Sequence, residues 1–188
     1  MATNHTIRIL SIDPGITVTG WACSSYSQNE DHLHVLKYGH IQPSQLSKVH
    51  KADCKVYGNQ IISLNMLDKS IQELLTQYKP DYIVSEDAFL HPGRVNAYAS
   101  LKLCIHTMAL VCYRNDKVLF KMAPCDIKKA VTGTGKADKD LIQRTVLSHP
   151  KISIKLTSKS PDPLTMVEHE ADAIAIGRAF ANHVLDIQ

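Results

Sequence analysis

"IRILSIDPGITVTGWACSS", residues 7–25, decides how this chain is read. Its first run is rich in strand-forming residues and closes on one carboxylate, Asp13. Pro14 and Gly15 follow at once, and a second β-rich run carries Thr, Val and Trp. A link this short joins two strands as an antiparallel hairpin, so strands are predicted over 7–13 and 17–25. Asp13 is then either a turn residue that happens to end a strand, or one member of a charged site held on a rigid sheet.

Further along, "SQNED" at 27–31 is turn chemistry, and 32–41 alternates as a third strand. "QPSQLSK" at 42–48 reads as a loop. From 59 to 78 the period changes. Ile61, Leu64, Leu67, Ile71, Leu74 and Leu75 recur at three- and four-residue steps, the stripe of an amphipathic helix. Pro80 ends it, because the residue before a proline is pushed out of the helical region. The pattern then predicts a strand over 81–86, a loop over 87–94, a long helix over 95–114 and a strand over 117–122. Pro124 opens a short helix to 131, where its missing N–H costs nothing. A Gly-rich turn, a helix to about 148, a loop over 151–166 and a last helix over 167–185 complete the chain. Three meandering strands followed by alternating helices and strands make an α/β fold. It is a mixed five-stranded sheet, its first three strands an antiparallel meander, with helices on both faces.

The chain has 188 residues, 44% of them hydrophobic, enough to bury a sizeable core. It reads as a single domain over 1–188, with no repeat and no linker. No apolar run approaches the ~20 residues of a membrane span, and the first residues lack the apolar stretch of a secretory signal. The expectation is a soluble, intracellular protein with no membrane partner. The five cysteines, at 23, 54, 104, 112 and 125, include no C-x-x-C pair. A disulfide framework is disfavoured, and they read as small apolar residues. The net charge is only +3, but its distribution is uneven: residues 117–159 hold ten Lys/Arg against three acids. That segment is either a phosphate-contacting surface or a solvated helical face.

The carboxylates form the most informative set. Two predicted strands end in acids, at Asp13 and Glu86. Strand ends are where loops and helix termini converge in α/β sheets. Asp87 follows Glu86, and neighbours on a strand point opposite ways, so Glu86 is the preferred partner. The last helix, "EHEADAIAIGRAF" at 168–180, carries His169 and Asp172 on one face. Asp172 sits among alanines and isoleucines, where a carboxylate is costly unless it is paired or bound to a metal. Glu168 and Glu170 read as decoration of an exposed helix start, complementing its dipole. Asp13, Glu86 and Asp172 with His169 make an oxygen-rich set with one nitrogen. Hard divalent cations, Mg2+ or Mn2+, prefer such donors. Two ions on such a set could clamp a phosphodiester from both sides, with the basic segment holding a nucleic-acid backbone against the acids.

These pieces resemble the RuvC-type Holliday junction resolvases of the ribonuclease H-like superfamily. "ILSIDPGITVTGW" is similar to that family's opening hairpin with its catalytic aspartate, here Asp13. "YIVSEDAF" is similar to the strand with the catalytic glutamate, here Glu86, and "HEADAIAIG" to the closing helix, whose metal-site positions fall on His169 and Asp172. "APCDIKKAVTGTGKADKDLIQ" is similar to the family's basic segment, whose two functional lysines fall on Lys128 and Lys139, with Lys129 and Lys136 as further basic residues. Phe89 stands where the family places an aromatic that stacks at the strand-exchange point. The 24–60 region looks longer than in bacterial members and is compatible with a viral or phage relative.

The resemblance implies a homodimer on four-way or branched DNA, nicking two symmetry-related strands in recombination and repair. It implies catalytic and metal-binding roles for Asp13, Glu86, His169 and Asp172, two Mg2+ ions per site with Mn2+ as a substitute, and the 95–114 helix as the dimer surface. Two other readings stand beside it. One is a broader nuclease of the same superfamily, acting on branched DNA or RNA–DNA hybrids. The other is a non-catalytic junction-binding protein.

Overall fold

The computed structural model describes residues 6–47, 50–90, 92–154 and 166–184. Its centre is a six-stranded sheet: β1 (Thr6–Asp13), β2 (Thr19–Ser27), β3 (His32–Ile41), β4 (Tyr82–Glu86), β5 (Leu119–Met122) and β6 (Ile152–Ile154). The spatial order is β5-β4-β1-β2-β3-β6. β1–β2 and β2–β3 pair antiparallel, the expected meander. β4 pairs parallel with β1 and with β5, so the sheet is mixed. β1 lies between β2 and β4 and is apolar on both faces, as a central strand must be.

Side chains alternate across that strand and feed two cores. Ile7 and Ile9 face a layer that includes Ile127 of α5 (Pro124–Thr132), Ile142 of α6 (Lys139–Ser148) and Ile174 of α7 (Glu168–Val184). Leu10 and Ile12 face Leu67 and Ile71 of α3 (Asn59–Tyr78) and Ile105 and Met108 of α4 (Val95–Arg114). Helices thus cover both faces. α7 lies close against the sheet at two points, where a glycine on one side leaves room for the other. A Cβ at Gly20 would come within 1.9 Å of the His169 carbonyl oxygen, and one at Gly177 within 2.8 Å of Ser11 Oγ.

Three expectations need correction. The sheet has six strands rather than five, because Ile152–Ile154, expected in a loop, adds parallel to Leu33–Val35 of β3. Three residues are too few to display an alternation. The region expected as loop after β3 contains α1 (Pro43–Ser47), and α2 (Lys51–Tyr57) follows it. α2 has no buried residue, so no apolar stripe marked it. β2 begins at Thr19 because the preceding residues make the turn, which Thr19 closes. Its hydroxyl donates to the Gly15 carbonyl at 2.6 Å and accepts from the Gly15 N–H at 3.2 Å. α4 has the length and mean composition of a membrane-crossing helix, but Lys102 and His106 break its apolar run, as the reading of the sequence has it. One face of it enters the core through Cys104, Ile105, Met108, Val111 and Cys112, and only 28% of its apolar window is buried. Lys155 and Lys159 of the basic segment, and Leu185 of the last helix, lie outside the described residues.

Candidate active site

Asp13 and Glu86 reach the same end of the sheet for a topological reason. β1 and β4 are parallel neighbours whose register pairs Ile12 with Ser85. The next residue on each strand is the carboxylate, so both are delivered side by side at the strands' carboxyl ends. α7 then crosses the meander with its N-terminal turn over Gly20, which is Asp13's partner across β1–β2. That contact places His169 and Asp172, one turn apart, above the two strand ends.

A cleft of about 340 Å³ results. Its walls include Asp13, Glu86, His169, Asp172, Phe89, Lys128 and Lys139. Six elements far apart in sequence, β1, β4, α4, α5, α6 and α7, converge there with the loop after β4. Lys129 and Lys136 do not line it and are exposed on the same basic segment. Phe89 is 72% exposed at the cleft, so it is not a packing residue under its loop. Asp87 also lines the cleft, but it is engaged elsewhere, accepting from Lys102 Nζ at 3.0 Å and from the Ala88 N–H at 2.8 Å.

The electrostatics are those of like charges drawn out of water. Burial pushes Glu86 up to about 7, and the neighbouring Asp13 and Asp172 add to the shift. Burial pushes Asp172 up to about 6, with Asp13 and Glu168 adding. Asp13, only 8% exposed, is raised by burial, and its hydrogen bond with His169 offsets that in part. His169 Nδ1 donates to Asp13 Oδ2 at 2.6 Å, and this bond raises the imidazole above its ordinary value. Two lysines supply opposing charge. Lys128 Nζ donates to the Ala137 carbonyl at 2.9 Å, which fixes it at the wall. Lys139 pairs with Glu168.

The three carboxylates and one imidazole fit a hard divalent cation by donor chemistry, since such an ion would relieve the repulsion that raises the acids. Among the described residues no three His, Cys, Asp or Glu side chains form a ready-made metal-holding group. His169 Nδ1 is spent on Asp13 rather than turned to a shared centre.

Two acids differ from their expected role. Glu170 was expected on the exposed helix start but is 5% exposed. Its Oε1 accepts from His40 Nδ1 at 2.8 Å, and its Oε2 accepts from the Val167 N–H at 3.1 Å. Glu168 stands in the cleft wall and holds Lys139. The glutamate three residues after a helix start is the one trace of the first arrangement in sequence, because such a residue reaches back to a free N–H. Its second partner, 130 residues away, leaves no trace.

The family model of the crossover junction endodeoxyribonuclease RuvC matches residues 9–180, nearly the whole chain and all of the cleft. This chain belongs to the RuvC family. The RuvC of Vibrio atlanticus is 32% identical over 179 residues, covering 94% of this chain and 89% of its own. That of Caldicellulosiruptor saccharolyticus is 28% identical over 170 residues, covering 90% and 89%. The structure of Thermus thermophilus RuvC in complex with a Holliday junction substrate superposes with a TM-score of 0.72 over 95% of this chain and 94% of that one, at 17% identity. RuvC relatives are endodeoxyribonucleases by name, and a nuclease is what the family assigns to this chain.

Proposed function

We propose that this RuvC-family chain is a structure-specific DNA endonuclease that resolves four-way junctions by paired, symmetric nicks, with residues 1–188 acting as one ribonuclease H-like nuclease domain. One observation carries the reading: three carboxylates from β1, β4 and α7 share a single cleft with Lys128, Lys139 and Phe89. A cleft of acids alone would repel a phosphodiester. The lysines at its wall give the backbone a place to bind, while the acids remain available for cations.

In this reading Asp13, Glu86 and Asp172, with His169, would hold two divalent cations, Mg2+ with Mn2+ as a substitute. When bound, the cations would supply Lewis acidity to the scissile phosphodiester. The chain's own groups do the rest. Asp13 is fixed by a rigid strand end and by His169, so its carboxylate needs little reorganisation. His169 serves as a nitrogen donor or moves a proton at the leaving oxygen. Lys128, pinned to the Ala137 carbonyl, presents its charge to a phosphate oxygen. Lys139 exchanges Glu168 for the incoming backbone. Lys129 and Lys136 contact phosphates outside the cleft. Phe89 stacks on an unpaired base at the exchange point, a contact worth about 1–3 kcal/mol.

Paired nicks need two sites, so the working form is a homodimer. α4 is the proposed surface, since Leu103, Leu110 and Tyr113 are exposed on it beside a buried opposite face. The place of action is intracellular, at recombining or repaired DNA. The substrate series that tests the reading compares a four-way junction, a flap, an RNA–DNA hybrid and linear duplex at equal salt. Preferential cutting of the junction at two symmetric positions is expected. Equal cutting of flap and hybrid would replace it with a broader nuclease, and tight junction binding without cleavage in Mn2+ with a binding protein.

A further inference from the structure

The pair formed by His40 and Glu170 touches none of the cleft, yet it is built into the same strand row as Asp13. Cross-strand register aligns Asp13 with Gly20, and Gly20 with His40. α7 lies over that row and is held at both ends of it by consecutive residues. His169 bonds to Asp13 on β1, and Glu170 bonds to His40 on β3. Between them the α7 backbone rests on Gly20, where a Cβ would overlap the His169 carbonyl at 1.9 Å.

Consecutive helical residues project about 100° apart. A helix pinned through two such residues to two different strands cannot roll about its axis without breaking one bond. Glu170 also accepts from the Val167 N–H, which fixes its carboxylate against the first turn of α7 so that the pull of His40 acts on the helix itself. Roll about the helix axis is therefore the motion that these two bonds resist most directly. Asp172, one turn beyond His169, takes its direction from this roll angle. A buried carboxylate left without its partner is costly, so the Glu170–His40 bond is held firmly where the chain shields it.

We infer that Glu170, His40 and Gly20 form a positioning device that sets the roll of α7, and through it the aim of His169 and Asp172 into the cleft. The inference rests on the proposed role of those two residues. Glu170 and His40 are positioning residues: they act on substrate and cations only through the helix. Loss of groups that orient a ligand set typically lowers metal affinity or activity about 10–100-fold.

The test uses the full chain and Mn2+ alone as the probe, by titration calorimetry, beside the side-chain NMR signal of His169 assigned with His169→Asn. His40→Ala removes a half-exposed residue and should fold; Glu170→Ala removes the buried partner; Glu170→Gln keeps acceptor and donor atoms. Mn2+ binding about 10-fold weaker in His40→Ala and Glu170→Ala is expected, with a displaced His169 signal and substantial recovery in Glu170→Gln. The double variant should be no worse than either single one, as for two residues of one unit. An unmoved His169 signal in folded His40→Ala overturns the inference, as does wild-type Mn2+ affinity in both alanine variants. Should the wild-type chain bind no Mn2+, the cation reading fails by itself, and the His169 signal still decides the positioning.

Discussion

α7 joins two ends of the sheet that treat their acids in opposite ways. At its first turn, Asp13, Glu86 and Asp172 crowd together, and burial drives all three up. Two turns further on, Arg178 is 3% exposed and reaches Asp31 in the β2–β3 turn. Arg178 Nη2 lies 2.8 Å from Asp31 Oδ1, Tyr26 donates its hydroxyl to the same oxygen at 3.0 Å, and Lys151 beside β6 pairs with the other. Burial pushes Asp31 up as well, but the hydrogen bonds from Lys151 and Arg178 outweigh it and bring it down to about 2. The same helix therefore ends one way in a cluster of paired opposite charges and the other way in a cluster of crowded like charges. Acids matched with cations hold a fold together; acids crowded beyond what His169 and the wall lysines offset cost stability, and such groups are candidates for a functional site.

The largest break in this comparison comes from Arg178→Ala. It leaves Asp31 short of a partner and opens a void under β3. Breaking a buried pair costs 3–5 kcal/mol, and because Lys151 remains and Asp31 is partly exposed, about 3 kcal/mol is expected. Denaturant unfolding checks it.

Glu86→Gln should do the reverse. It removes one of the mutually repelling charges, so the melting temperature without divalent cations at pH 7.5 should rise, by roughly 2–4 °C for each kcal/mol relieved. Under the proposed function, the same variant should lose junction cleavage and most of the stabilisation that Mg2+ is expected to give the wild-type chain.

pH separates the two ends next. Glu86 and Asp172 bind their protons more tightly in the folded chain. Their cost is absent below the unfolded values, 4.5 and 3.8, and grows as pH rises through about 7 and about 6. Asp31 behaves oppositely: its contribution is complete above 3.8 and is lost as pH falls through about 2. Thermal melts of the cation-free chain should therefore show Glu86→Gln flattening part of the fall between pH 4.5 and 7, with no change near pH 3. Cation binding should strengthen across pH 5–7, since the carboxylates must lose protons to ligate.

The smallest effect on stability is expected from Phe89→Ala. With the ring 72% exposed, its loss should leave the unfolding free energy within about 0.5 kcal/mol of the wild type. Junction binding or cleavage should weaken by the ~1–3 kcal/mol of a lost stacking contact, which gel-shift and single-turnover assays resolve.

Much of this was legible from residues alone, for identifiable reasons. α3 carries a clear helical stripe, β1 is a short β-rich run ended by Pro-Gly, and α7 is a long run rich in Ala and Ile, so their type follows from composition and from which side chains must leave water. The cleft was legible because its acids sit at element ends, where topology gathers groups from distant parts of the chain. β6 and α2 escaped because one is too short to alternate and the other buries nothing. The Asp31–Arg178 cluster and the Glu170–His40 bond escaped because each depends on β3 being brought under α7, a long-range pairing that no local pattern encodes. Glu168 and Glu170 looked alike in sequence, and the sheet beneath them is what separates a cleft residue from a buried anchor.

Single-turnover cleavage of a synthetic four-way junction, mapped to the nucleotide in Mg2+ for the wild type and for Asp13→Asn, bears most directly on the central claim. The account predicts paired, symmetric nicks from the wild-type chain and a rate at least about 100-fold lower from Asp13→Asn at unchanged junction binding, a larger loss than removing an orienting partner causes. Nicks of wild-type rate and position from Asp13→Asn would contradict it.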